Sequence, residues 1–142
     1  MKTLLTSLLL FSLCCLSATA VEKTDLFEAG KDGYALYRIP GIVVTKRGTV
    51  LAYCEARKSD SGDWGPIDVM MRRSRDGGKT WLPRQKIVHV EGDLPINPLA
   101  RNLDRAGDNT VNNPVAIVDH ETGAVHFLYC LEYMRCFYMR SD

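Results

Sequence analysis

Tyr37-Arg38-Ile39-Pro40-Gly41-Ile42-Val43-Val44-Thr45, then Lys46-Arg47-Gly48, then Thr49-Val50-Leu51-Ala52-Tyr53-Cys54, is the stretch whose reading decides the fold. Two apolar, β-branched runs flank a three-residue turn that ends in glycine, the pattern of a β-hairpin. Ile67 to Ser74 follows, alternating loosely between apolar and charged residues; Arg75 to Lys79 turns the chain and Trp81 to Val88 returns it. Four antiparallel strands joined in sequence by short connections predict one propeller blade or one sheet of a sandwich. No segment sustains a 3.6-residue apolar period, so the class is all-β.

Outward from that stretch the pattern loosens. Val21 to Gly33 is charged, with Leu26-Phe27 as its only apolar pair, and a lead-in strand is expected there. Glu55 to Pro66 is polar, contains Gly62 and Gly65, and reads as a loop. His89 to Asn112 is long and irregular, with Gly92, Pro95, Pro98 and Gly107; such loops are functional or disordered. Val115 to Val118, a turn at Asp119 to Gly123, and Ala124 to Cys130 predict a second hairpin, with one further strand at Cys136 to Arg140.

Residues 1–20 read as an export signal: Lys2, a nearly continuous apolar run from Leu4 to Leu16, and Ala18-Thr19-Ala20 as the cleavage site. The run is too short for a stable membrane anchor. Phe11-Ser12-Leu13 before Cys14 lacks the small residue that lipoprotein processing requires, so cleavage after Ala20 is expected, with secretion or periplasmic export. Lys2 is one of 18 basic residues against 17 acidic, so its removal leaves a formally neutral chain. Nothing in that balance favours nucleic acid or an anionic membrane, and anion recognition falls to individually placed arginines. Cys54, Cys130 and Cys136 remain, an odd number that implies a free thiol or a partner elsewhere. Cys130 and Cys136 flank Glu132-Tyr133-Met134 and either face each other across a turn or stay reduced. Ser141-Asp142 repeats the start of Ser74-Arg75-Asp76, which marks the chain as the N-terminal piece of a longer protein.

Ser74-x-Asp76-x-Gly78-x-Thr80-Trp81 is a self-contained turn by its chemistry. Short Ser, Asp and Thr side chains bond nearby amides, glycine permits a positive φ, and tryptophan packs beneath. Its role is structural, and Asp76 carries no catalytic weight. Together with Tyr37-Arg38-Ile39-Pro40, Arg57 and Asp63-Trp64-Gly65, in that order, the pattern resembles bacterial-type sialidases (exo-α-sialidases, neuraminidases). These six-bladed propellers carry an Arg-Ile-Pro motif in the first blade and recurrent Asp boxes. The resemblance runs from about Tyr34 to the C-terminus and makes residues 21–142 the first one to two blades of such a propeller, incomplete in this chain.

The resemblance implies roles position by position. Arg38 corresponds to the first of three arginines that grip the sialic-acid carboxylate, Asp63 to the acid/base aspartate about twenty-five residues on, and Arg57 to an arginine that helps hold the sugar. Asn113 stands where some members have an aspartate near the sugar's 4-hydroxyl, a substitution at that contact. Gly62-Asp63-Trp64-Gly65-Pro66 departs from the family's common Ser-Asp-Trp-Gly-Asp. The nucleophilic tyrosine, its glutamate partner and the other two arginines lie beyond the chain end, and Tyr129, Tyr133 and Tyr138 are too early to replace that tyrosine.

The chemistry fits these residue types. An arginine fork binds a carboxylate through two parallel charge-assisted hydrogen bonds. Asp63 would protonate the departing glycosidic oxygen, helped by burial beside Trp64 and by a neighbouring carboxylate, and opposed by Arg38. Sialidases depart from the two-carboxylate scheme by using a tyrosine nucleophile with retention. Taken alone, Arg38 would be a structural ion pair and Asp63 a loop aspartate capping amides. His89, His120 and His126 lack ligand spacing and read as surface or satisfied histidines; Glu55, Asp60 and Asp68 flank the loop and either tune Asp63, bind a cation or, the simpler reading, are solvated charges. No cofactor or metal is called for. The expected partners are sialylated glycans, glycoproteins or glycolipids, with no nucleic acid and no membrane anchor. Two functions follow: an exported retaining exo-α-sialidase, or a non-catalytic Asp-box propeller that binds glycans or proteins. The chain by itself is expected to be inactive and poorly soluble, because blade edges are left unpaired.

Overall fold

A computed structural model describes residues 21–60, 62–92, 94, 95, 97–100 and 109–142. The expected export signal at residues 1–20, with Cys14 and Cys15, lies outside the described residues. Among the described residues, seven strands form two antiparallel meanders. The first sheet runs in the order β1 (Leu36–Val44), β2 (Val50–Arg57), β3 (Ile67–Ser74) and β4 (Gln85–Val88). The second runs β5 (Val111–Val118), β6 (Val125–Leu131) and β7 (Arg135–Ser141). The class is all-β, as the sequence predicts.

The first hairpin closes as its turn chemistry requires. The amide of Gly48 donates to the Thr45 carbonyl at 2.8 Å, and Gly48 takes φ 79°. That conformation costs glycine nothing and would strain a side chain.

Strand β2 is buried at all of its positions because both of its faces are covered. Leu51 and Tyr53 point to the second sheet and join Val69, Met71, Val88, Val111, Ala116, Phe127 and Leu131 in the main core. On the other face, Ala56 and Met70 pack with Tyr34. A two-residue period puts Glu55 and Arg57 on the same face as Leu51 and Tyr53. One face of β2 is therefore apolar in its first half and charged in its second.

Tyr53 ties the sheets together. Its hydroxyl accepts from the Ala116 amide at 2.8 Å, and its ring meets Phe127 edge-on at 5.3 Å. The ring lies flat over Gly41, where any Cβ would overlap it. The sheets also meet through a parallel bridge between Ile67 and Thr110.

Four expectations change. The loop expected at Glu55 to Pro66 begins only after Arg57, because Glu55 to Arg57 continue β2 in register with β3. Val21 to Gly33 forms turns, not a lead-in strand, and Phe27 packs on Tyr37 at 5.4 Å. The fourth strand is only Gln85–Val88, because Pro83 has no amide to donate to the ladder. The fifth begins at Val111, four residues before the expected Val115, and continues through Pro114.

Candidate functional site

Both first strands of the sheets are bulged. In β1 the register with β2 shifts between Arg38 and Gly41, with Ile39 at φ 52° and Pro40 next to it. Isoleucine is a poor residue for that left-handed conformation. The bulge breaks the pleat and turns Arg38, whose side chain is 49% exposed, over the end of β2.

Asp63 rises to meet it from the β2–β3 connection. Its Oδ1 accepts from Arg38 at 3.0 Å and from Arg57 at 2.9 Å. Arg57 is 2% exposed, and Glu55 beside it is completely buried. The Glu55 carboxylate takes two bonds from the Arg57 guanidinium, at 3.1 Å and 2.6 Å, through a single oxygen. Its other oxygen accepts from the Asn113 amide at 2.8 Å. Arg57 also donates to the Gly62 carbonyl. A buried ion pair with these extra bonds is satisfied on both sides, which is the condition for tolerating its desolvation.

The loop is clamped from the second sheet. The Gly65 amide donates to Thr110 Oγ1 at 3.1 Å, and that hydroxyl donates back to the Gly65 carbonyl at 2.7 Å. The Tyr133 hydroxyl donates to the Asp63 carbonyl at 3.1 Å, and its ring meets Trp64 edge-on at 4.7 Å. Glu132, 1% exposed, accepts from the Thr110 amide at 2.7 Å.

The electrostatics of Asp63 differ from the expectation. Hydrogen bonding to Arg57, then the charges of Arg57 and Arg38, hold its carboxyl below the usual carboxylate range. Burial pushes the other way but is outweighed, because the side chain is 59% exposed and Trp64 packs on Tyr133. The free site therefore holds an ionised Asp63 between two guanidinium groups.

The structure brings Arg38, Arg57 and Asp63 together and joins Asn113 to them through Glu55. Ser74, Asp76, Gly78, Thr80 and Trp81 sit apart, at the far end of β3, about 23 Å along the strand. There Ser74 Oγ accepts from the Gly78 amide at 2.8 Å, and Asp76 accepts from the Thr80 amide at 2.9 Å and its hydroxyl at 2.5 Å. Trp81 Nε1 donates to the Gly78 carbonyl at 3.0 Å. A cleft between the sheets, lined by Lys46, Arg73, Phe127, Met139 and Arg140 among others, includes none of the site residues.

Glu55 and Asp68 are not the solvated charges that the sequence suggests. Asp68, 2% exposed, accepts from Tyr34 at 2.5 Å and Lys86 at 3.1 Å, and pairs with His89 Nδ1 at 2.6 Å. His89 is thus a satisfied histidine, held toward its charged form first by Asp68 and then by Glu91. Asp60 is exposed, as expected. Sequence reasoning missed Tyr133 and Glu132. The signal available was the pair's place at the tip of the second hairpin, but nothing local connects that tip to Asp63.

No protein-family model matches the chain. Over 99 residues it is 38% identical to a sialidase of Bacteroides fragilis, a match covering 69% of this chain and 17% of that protein. A sialidase of Micromonospora viridifaciens is 33% identical over 101 residues, covering 71% of this chain and 14% of the relative. The solved structure of a Hadza microbial sialidase superposes with a TM-score of 0.56 at 30% identity, over 72% of this chain and 19% of that one. The chain thus spans less than a fifth of the length of each of these proteins. Its two meanders match part of these sialidase propellers. By sequence and by fold alike, this chain belongs to the bacterial-type sialidases, of which it forms a part.

Proposed function

We propose that the chain supplies the acid/base aspartate and the first carboxylate-binding arginine of an exported, retaining exo-α-sialidase acting on terminal sialic acid of glycoconjugates. The observation that carries this reading is the meeting of Arg38 and Asp63, 25 residues apart in sequence, at 3.0 Å on one exposed surface. Arg38 offers its fork to a ligand carboxylate. Once that carboxylate is bound, Arg38 has an anionic partner other than Asp63, and Asp63 loses part of what keeps it ionised. The substrate thereby eases proton uptake by its own general acid. Arg57 is buried and committed to Glu55; it orients Asp63 from behind and has little surface to offer a sugar. Asn113 supports the same group through Glu55. The Asp box stabilises a turn and takes no part in the chemistry. Export rests on the sequence of residues 1–20, and the nucleophile and remaining arginines are supplied by chain outside this one.

The test is Asp63→Ala in the intact enzyme, assayed on natural sialosides and on activated aryl sialosides. Natural substrates have poor leaving groups and should lose about 10²–10⁴-fold, the contribution of a positioned general acid, while aryl sialosides lose far less. Equal losses on both would remove Asp63 from the acid role. An intact protein that binds sialylated glycans without turning them over would instead establish the non-catalytic propeller.

A further inference from the structure

We propose that Cys130 and Cys136 close a disulfide across the second hairpin and so fix its tip against the loop that carries Asp63, with a low-molecular-weight disulfide such as oxidised glutathione as the oxidant. The crosslink itself stands apart from the glycosidase reading. The two residues are direct partners in the β6–β7 ladder. Opposed residues of antiparallel strands have Cα atoms about 4.5–5.5 Å apart, within the range that a disulfide spans. Both thiols are free, Cys136 exposed and Cys130 partly so. The third described cysteine is no competitor. Cys54 lies in the other sheet, 2% exposed, with its thiol pushed up to about 12 by burial.

What the crosslink would hold is a strained turn. Leu131 to Met134 closes through the Met134 amide on the Leu131 carbonyl at 3.0 Å, with Glu132 at φ 56° and Tyr133 at φ 53°. Two successive non-glycine residues in the left-handed region persist only where their surroundings impose it. Those surroundings are the site loop and its neighbours: Tyr133 on Asp63 and Trp64, and Glu132 on Thr110. Asn97 Nδ2 adds a bond to the Glu132 carbonyl at 2.9 Å. Tyr133 is therefore a positioning residue for the Asp63 loop, and the cysteine pair sits at the base of its hairpin.

The exchange runs in two balanced steps. Cys136 is exposed and Cys130 partly buried, so the Cys136 thiolate attacks one sulfur of glutathione disulfide and releases one glutathione thiolate. The Cys130 thiolate then attacks the mixed disulfide at Cys136 Sγ and expels the second glutathione. Two cysteine thiols are oxidised, one glutathione disulfide is reduced to two thiols, and the two protons pass to the departing thiolates.

The full chain is equilibrated at graded ratios of oxidised to reduced glutathione, alkylated and digested. The expected result is a segment spanning Cys130 to Cys136 that resists alkylation and is lighter by two hydrogens, with Cys54 alkylated only after denaturation. Thiols that stay alkylatable at every ratio, or that pair between molecules, overturn the crosslink. Amide exchange of Gly62 to Gly65 should be slower in the oxidised protein than in the reduced one, and Cys130→Ser should abolish the difference. A disulfide that forms without changing that exchange overturns its role in holding the loop.

Discussion

The two bulges, one in each sheet, use the same backbone device for opposite ends. Ile39-Pro40 in β1 and Asn113-Pro114 in β5 each pair a left-handed residue at φ 52° with a following proline, and each shifts the register of its strand. The first turns a side chain outward: Arg38 lies over the surface and reaches Asp63. The second turns a backbone amide inward: Asn113 donates to buried Glu55, which holds Arg57, which in turn holds Asp63. The residue kinds agree with this division. Asparagine tolerates the left-handed region and isoleucine resists it, so the β1 bulge carries the greater strain. The greater strain at the exposed position fits a first bulge kept for what it presents, and a second for what it braces.

If the second bulge is bracing, its loss should appear as instability. Glu55→Ala leaves Arg57 buried with half its partners gone, and urea unfolding should show a loss of about 3–5 kcal/mol. A loss below about 1 kcal/mol, the value of an exposed pair, would mean that the inner cluster bears little load. If the first bulge is presenting, Arg38→Lys should leave unfolding nearly unchanged but weaken carboxylate recognition. Replacing the fork by a point charge removes one charge-assisted bond of about 1.5–3 kcal/mol, a drop of roughly 10- to 100-fold in kcat/KM on sialosides in the intact enzyme. The smallest effect sharpens the contrast in strain. Ile39→Gly relieves a left-handed isoleucine, whereas Asn113→Gly gains little and costs glycine's extra chain entropy. The first variant should be the more stable by about 1 kcal/mol in the same unfolding assay. The reverse order would remove the distinction between the bulges.

The prolines also explain what the sequence concealed. The strand pattern from Gly41 to Cys54 and the turn from Ser74 to Trp81 are local, built from residues within a few positions of one another, and they were legible. The sequence reading starts the first strand's regular run at Gly41, after Pro40, and the fifth strand at Val115, after Pro114, so neither bulge shows in it. A bulge satisfies proline's missing donor without ending the pairing, and only the partner strand reveals it. Within the site, Arg38 and Asp63 were legible through a family pattern. The inner shell was not. Glu55 sits in a charged stretch that looks solvated until β5 covers it, and Tyr133 reaches Asp63 from 70 residues away.

That Arg38 and Asp63 serve one ligand is tested most directly by following the Asp63 carboxyl carbon by NMR through a pH titration of the intact protein, with and without free sialic acid. The expected result is a midpoint below the ordinary carboxylate value of about 3.9 in the free protein, moving upward when the sugar's carboxylate occupies Arg38. A midpoint at the ordinary value, or one that sialic acid leaves in place, would contradict the convergence of these two groups on one substrate.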